Sequence, residues 1–387
     1  MILRDVIVPG HGSGDLHVVD GRVQAFDQRP PSDTPRIVMP QLVEAHCHLD
    51  KCHTLHRLAD VGGDLTSAIA AQLEDKVNWT EADIWARAGR GISELVEAGC
   101  GLARSHVDWG NTSAPPLAWS VLEDLCSDRS DEIDLQLAAL VNIAALEDPD
   151  CAMSIARRIA ETGGALGTFL LDHAEPRQSL VNMFDAASRF GIALDFHVDE
   201  GLMPGLHGVE LIADVALEHG FDGPILCGHA CALMNMRRDD FDRVAEKLAL
   251  AGIFVAALPT TNLYLQGRTE GTPDRRGLTR LRELADAGVQ VVVASDNVAD
   301  AFCPLGQHDP MAALNLAVLT GHLDPPFDQW LPLITTNAAR ALGQKPPALV
   351  GTSIDTLILS DARNPAELVS GRCGPPRRVH TLSEAAQ

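Results

Sequence analysis

The chain has 387 residues, 46% of them hydrophobic, and carries 53 Asp and Glu against 30 Lys and Arg, a formal charge of −23. That balance repels phosphate backbones and anionic lipid surfaces, and one tyrosine among 4% aromatic residues leaves few stacking platforms, which argues against a nucleic-acid or anionic-membrane partner and leaves a glycan-binding role without support. There is no apolar run of about 18 residues to span a membrane and no basic-then-apolar leader, and nine cysteines without disulfide spacing fit a reduced, cytoplasmic protein.

In chain order, the opening segments DVIVPG, LHVVDGRV and PRIVMP alternate short β-like runs with turns. From residue 40 the pattern changes to apolar strands alternating with amphipathic helices. After the run that leads into EAHCHLDK (44–51), strands are expected at 101–107, 135–143, 165–171, 192–198, 224–229, 254–259 and 289–296. Helical stretches such as EADIWARAGRGISELVEAG and LTRLRELADAG separate them, and a glycine stops each of these two before the next strand. About eight strand–helix units in succession are the signature of an α/β fold of the (β/α)8 TIM-like barrel kind. The far end returns to β-like runs in DTLILSD, ELVSGRC and PPRRVHTL. Residues 1–39 and 343–387 are therefore expected to pair into a small β-sandwich beside a barrel formed by 40–342. A doubly wound sheet would not need β-rich segments at both termini.

In such a barrel the side chains at the C-terminal strand ends converge on one site. Polar residues recur there: His46 and His48, His106 and Asp108, Asn142, His173, His197 and Glu200, His229, and Asp296 with Asn297. His46 and His48, two apart on an extended chain, point the same way. A pair of surface histidines would be the plain alternative, but histidines recurring on several separate strands argue for a metal. Three imidazoles and one carboxylate suit Zn2+ or Fe2+, with His46, His48, His197 and Asp296 as the ligands. Glu200, three residues past a ligand, is positioned to shuttle a proton, and His229 to stabilise developing charge. Cys227 and Cys231 lack a second pair and are expected in the core, whereas His53, His56, His207 and His308 are expected at the surface. No lysine occurs between Lys76 and Lys247, so strands two to six cannot supply a carbamylated bridge between two ions; one divalent metal is expected.

HCHLD, SHVD, HVDE, GHACALM, the NLYLQGR and PDRRGLTRLRELADAGV segments and ASDNVADAFCPLG resemble, in order and spacing, the cytosine deaminase branch of the amidohydrolase superfamily. The resemblance covers essentially the whole chain and implies a mononuclear barrel with a flanking β-sandwich. It carries the ligand role onto His46, His48, His197 and Asp296, the proton-shuttling glutamate onto Glu200 and the catalytic histidine onto His229. Gln266 and Arg268 fall in the LQGR stretch that shapes the pocket. Asn142 stands where cytosine deaminase has a glutamine, Asn297 where it has a second aspartate, and Phe302 where it has a tryptophan. The resemblance makes Asn142, Gln266, Asn297 and Phe302 the expected substrate contacts, and the three departures alter the specificity.

The expected activity is hydrolytic deamination of a small nitrogen heterocycle: cytosine, a substituted cytosine or a related cyclic amidine. Hydrolysis of a cyclic-amide or N-alkyl-aminotriazine C–N bond is the enzymatic alternative, and an inactive metal-binding module the non-enzymatic one. Flat barrel flanks allow a homo-oligomer.

Overall fold

A computed structural model describes residues 1–59, 61–171, 176–346 and 348–379. The alternation of the first forty residues suits a sheet with one face buried. β1 (Ile2–Val8), β2 (Gly12–Val19) and β3 (Arg22–Gln28) form an antiparallel meander. Asp20 and Gly21 turn β2 into β3 with φ of 49° and 71°, the left-handed pair that a two-residue hairpin requires. β4 (Arg36–Pro40) then returns parallel to β1.

Eight parallel strands follow, each paired to the next: β5 (Leu42–Cys47), β6 (Cys100–Gly110), β7 (Asp134–Asn142), β8 (Ala165–Leu170), β9 (Ala193–Val198), β10 (Ile225–His229), β11 (Phe254–Ala257) and β12 (Gln290–Val293). The ring is drawn together where Cys47 bridges to Asp296 and the Asp296 N–H donates to the His46 carbonyl at 2.9 Å. Glu44 spans the same seam, accepting from the Ser295 N–H at 3.2 Å and from the Ser295 hydroxyl. Burial pushes its carboxyl up to about 8, so at neutral pH the seam holds a largely uncharged group.

The helices between strands form because their apolar residues repeat at helical spacing. In Glu81–Glu97, Ile84, Ala88, Ile92 and Leu95 make the buried stripe, and the Thr80 side chain caps the start by accepting from the Asp83 N–H. Strand alternation sorts the rest. On β9, Leu194, Phe196 and Val198 join the core beneath the helices, so Asp195 and His197 face the barrel axis. On β6, Ala103, Val107 and Trp109 point outward and leave Arg104, His106 and Asp108 inside.

The barrel interior is layered. Val43, Ala45, Leu102, Leu226, Ala256, Val292 and Ala294 fill its N-terminal end together with Ala338, Ala341 and Leu342. Above them Arg104 donates to Asp195 at 2.9 Å and to Gln136 at 2.9 Å. The histidines come next.

β13 (Leu357–Ser360) and β14 (Arg377–Arg378) complete the terminal sheet in the order β14-β13-β4-β1-β2-β3. β4 joins the two parts: Val38 packs into the sheet's own core with Leu16, Val18 and Leu359, while Ile37 and Met39 pack into the barrel's. One expectation fails here. ELVSGRC is not a strand; Pro365–Val369 is a short helix, because Asn364 accepts from the Glu367 N–H and Pro365 supplies a ready-set first residue. Among the described residues no helix is long and apolar enough to cross a membrane.

Candidate metal centre and active site

β5 ends in His46 and leads directly to His48, and β9 carries His197. The Nε2 atoms of His46 and His48 each lie 3.1 Å from His197 Nε2. Asp296, just past β12, puts Oδ1 3.6 Å from His46 Nε2 and 3.3 Å from His48 Nε2. All four side chains are buried. Burial, reinforced by the neighbouring imidazoles, holds His46 and His197 well below the usual histidine range, and burial beside Lys51 lowers His48 to about 3. They are neutral lone-pair donors, the form a metal requires. Burial alone would raise the Asp296 carboxyl, but His48 and His229 outweigh it and keep the group ionised. Among the described residues neither Asp296 oxygen has a well-aligned hydrogen-bond donor, although His48 and Thr261 lie alongside.

Three inward ring nitrogens beside an unsatisfied buried carboxylate are costly on their own, by about 1–3 kcal/mol for each unpaired polar group. A divalent cation among them removes that cost. The donor separations match the ~3.3 Å expected around an ion with bonds of about 2.0–2.1 Å. The donor set fits a divalent metal.

Glu200 and His229 stand beside this cluster, with Oε2 and Nε2 3.4 Å apart. His229 Nδ1 meets Asn262 Oδ1 at 3.0 Å, which directs Nε2 toward the pocket. Burial pushes the Glu200 carboxyl up to about 7 despite the opposing pull of His229. The backbones of His229 and Asp296 are left-handed, with φ of 70° and 67°. For non-glycine residues that conformation costs about 1–3 kcal/mol and concentrates at working sites.

The expected substrate contacts surround the cluster unevenly. Gln266 is buried, its Nε2 3.5 Å from the Glu200 carbonyl. Asn297 donates to Asp300 Oδ2 at 2.7 Å. Phe302 packs with Ala68 and Leu265 and lies under the Lys51 ammonium at 5.3 Å. Asn142 ends β7 half-buried, its Oδ1 accepting from the Ala144 N–H at 3.1 Å. Register aligns Asn142 with Phe169 and Phe169 with His197, so all three point the same way from adjacent parallel strands. Arg268 is exposed and stacks on Tyr264 at 4.8 Å, and His173 lies outside the described residues.

Several residues were under-read in the sequence. His106 stacks beside His46 with ring centroids 4.0 Å apart, and its Nε2 is 2.9 Å from Asp195 Oδ1. Asp195 lies two residues before His197, so strand alternation already put it on the same face. Lys51, the last residue of EAHCHLDK, is buried and paired with Asp108 at 2.8 Å. Burial opposes its charge, but Asp108 and Asp50 outweigh it and hold the ammonium above its ordinary value. Phe169, only half-buried, supplies an aromatic face at the level of His197. A further expectation needs correcting: His53 and His308 are not surface residues but 7% and 3% exposed, packed on the helix Glu81–Glu97, whereas His56 and His207 are exposed. Cys227 and Cys231 are buried, as expected.

A cavity of about 690 Å³ opens at the other end of the barrel, lined by Val43, Leu102, Met39 and Leu331 among others. It holds none of the candidate residues, so the chemistry belongs to the histidine end.

Residues 136–346, more than half of the chain, match the Amidohydrolase family. The chain is 32% identical over 375 residues to a pterin deaminase of Rhizobium rhizogenes, covering 95% of this chain and 82% of that protein. It is 24% identical over 341 residues to an N-isopropylammelide isopropyl amidohydrolase of Pseudomonas, covering 84% and 80%. Among solved structures, 5-methylcytosine deaminase from Klebsiella pneumoniae liganded with 5-fluorocytosine is similar with a TM-score of 0.82 at 25% identity, covering 98% of this chain and 95% of that one. Barrel, polar cluster and these likenesses agree: the chain belongs to the amidohydrolase family and is a hydrolase of non-peptide C–N bonds.

Proposed function

We propose that the protein is a metal-dependent hydrolytic deaminase that removes an exocyclic amine from a pyrimidine-type ring and releases ammonia. The observation that carries this reading is the Glu200–His229 pair, 3.4 Å apart, beside His46 and His48, whose Nε2 atoms each lie 3.1 Å from His197 Nε2 and 3.3–3.6 Å from Asp296 Oδ1. Those four residues would hold one divalent cation, zinc or ferrous iron. When bound, such an ion supplies a water acidic enough to attack at neutral pH.

The chain's own groups handle the protons. Asp296, kept ionised by His48 and His229, takes the proton from the attacking water. Glu200, half of it protonated at neutral pH because burial raises its carboxyl to about 7, donates in that form to the ring nitrogen beside the amine-bearing carbon. His229 Nε2 faces the oxygen on which charge develops. The amine departs as ammonia after receiving a proton through the same groups.

The relatives act on pterin and on 5-methylcytosine by name. Both names describe rings with an amine beside a ring nitrogen. We favour a bicyclic, pterin-type substrate: Asn142 is a short amide with its oxygen already engaged, which leaves room at the rim and one N–H pair for a ring acceptor. Phe169 and Phe302 offer flat faces for a larger ring.

The test is ammonia release by metal-reconstituted protein from pterin, cytosine, 5-methylcytosine and aminotriazines. Turnover is expected with pterin foremost; no ammonia from any of them overturns the reading. The likeness to an N-isopropylammelide isopropyl amidohydrolase favours a second reading, cleavage of an N-alkyl C–N bond, which alkylamine product would identify. Tight metal binding without turnover on any ring would mark an inactive binding module.

A further inference from the structure

His53, Glu94 and His308 form a second convergent cluster outside the catalytic pocket. His53 follows β5, His308 follows β12, and Glu94 projects from the helix Glu81–Glu97 between them. His53 Nε2 is 3.1 Å and His308 Nδ1 2.9 Å from the same oxygen, Glu94 Oε2. One donor atom from each residue lies within 4.8 Å of the others. Both imidazoles are more than nine-tenths buried, and among the described residues their remaining nitrogens, His53 Nδ1 and His308 Nε2, have no partner.

The seat is built for these rings. Gly91 sits mid-helix, where glycine costs about 1 kcal/mol relative to alanine. A Cβ there would lie 2.9 Å from His308 Cε1 and 2.6 Å from Leu49 Cδ2, so only glycine lets His308 lie against the helix one turn before Glu94. The backbone of His53 is left-handed at φ 59°, which turns its ring back toward that helix. Arg90 takes the other Glu94 oxygen at 2.9 Å and leaves Oε2 as the shared point.

We propose that His53, Glu94 and His308 bind a second divalent cation, zinc by the chemistry of the donors. Two imidazoles and a carboxylate are a common zinc set, and spacings of 2.9 and 3.1 Å resemble those of the catalytic cluster. Glu94, with its side chain 30% exposed, leaves the ion a side open to water as a fourth ligand. The cation staples the loops after the first and last barrel strands, which the His53 N–H to Val298 carbonyl bond already joins at 3.0 Å. Those loops carry Lys51, Asn297 and Phe302. The role is structural, since none of the three residues reaches the reacting groups.

The full chain, stripped by chelator, dialysed against Zn2+ and freed of excess, is analysed for metal per chain, with Co2+ spectra in parallel. Wild type is expected to hold about two ions, and His308→Gln and Glu94→Gln about one, with the catalytic ion retained as a marker of folding. Asp296→Asn is expected to weaken the other ion and leave the staple ion in place. One ion in wild type that persists in His308→Gln overturns the staple. A single ion lost in His308→Gln but kept in Asp296→Asn upholds it and removes the catalytic site. If His308→Gln does not fold, His53→Gln and Glu94→Gln must each lose the same ion, and retention of both ions in either overturns the proposal.

Discussion

The chemistry rests on where single side chains find their charge and their partners. Glu200 illustrates it: burial raises its carboxyl to about 7, against 4.5 ordinarily, so the group is half-protonated at neutral pH. A donor role for the protonated form gives a definite sign. The active share falls as pH rises through about 7, so kcat/KM is expected to decline on the alkaline side of neutrality. Replacing Glu200 by Gln removes the transferable proton without touching a ligand, so metal content should stay unchanged while kcat falls by about 10²–10⁴-fold. Near-wild-type turnover in that variant would remove Glu200 from the mechanism. Under the proposed function Phe169 bears on binding instead. Phe169→Ala is expected to raise KM by about tenfold, the equivalent of ~1.4 kcal/mol of lost ring contact, with little change in kcat. Steady-state kinetics separate the two variants.

At the level of elements, strand alternation and register do the positioning. Parallel pairing sets Gly228 of β10 opposite His197 of β9, and a Cβ on Gly228 would come within 2.9 Å of His46 Cε1. The glycine exists so that the His46 ring can lie across β10. Gly228→Ala should therefore displace a proposed ligand while leaving the sheet intact, lowering bound metal at least tenfold with an unchanged far-ultraviolet spectrum. Elements also show where sequence reading ends. The eight strands were legible to within a residue or two over most of the barrel, because apolar runs between capped helices leave little choice. ELVSGRC was not, because one cap and one proline outvoted a weak β preference.

For the molecule as a whole, the barrel interior is a stack in which each layer supports the next. Arg104 and Asp195 are both buried, and through Asp195 they hold His106 against His46. Removing one partner of a buried pair leaves an uncompensated charge, at a cost of about 3–5 kcal/mol. Arg104→Met is therefore expected to lower Tm by several degrees and to weaken metal binding, measured by calorimetry with and without added Zn2+. An unchanged Tm would show that Asp195 finds another counter-charge.

Order along the chain was enough to identify the barrel, the terminal strands that flank it and most of the polar residues that meet inside. Periodicity is local, and strand ends in a barrel converge wherever they fall in the sequence. Tertiary structure alone decided the partners of the remaining buried histidines. His106, His53 and His308 look alike in sequence, yet one stacks on a candidate ligand and two meet a glutamate from a distant helix. Such partnerships depend on residues 41 to 214 positions apart coming within hydrogen-bond distance, and nothing in local pattern encodes that distance.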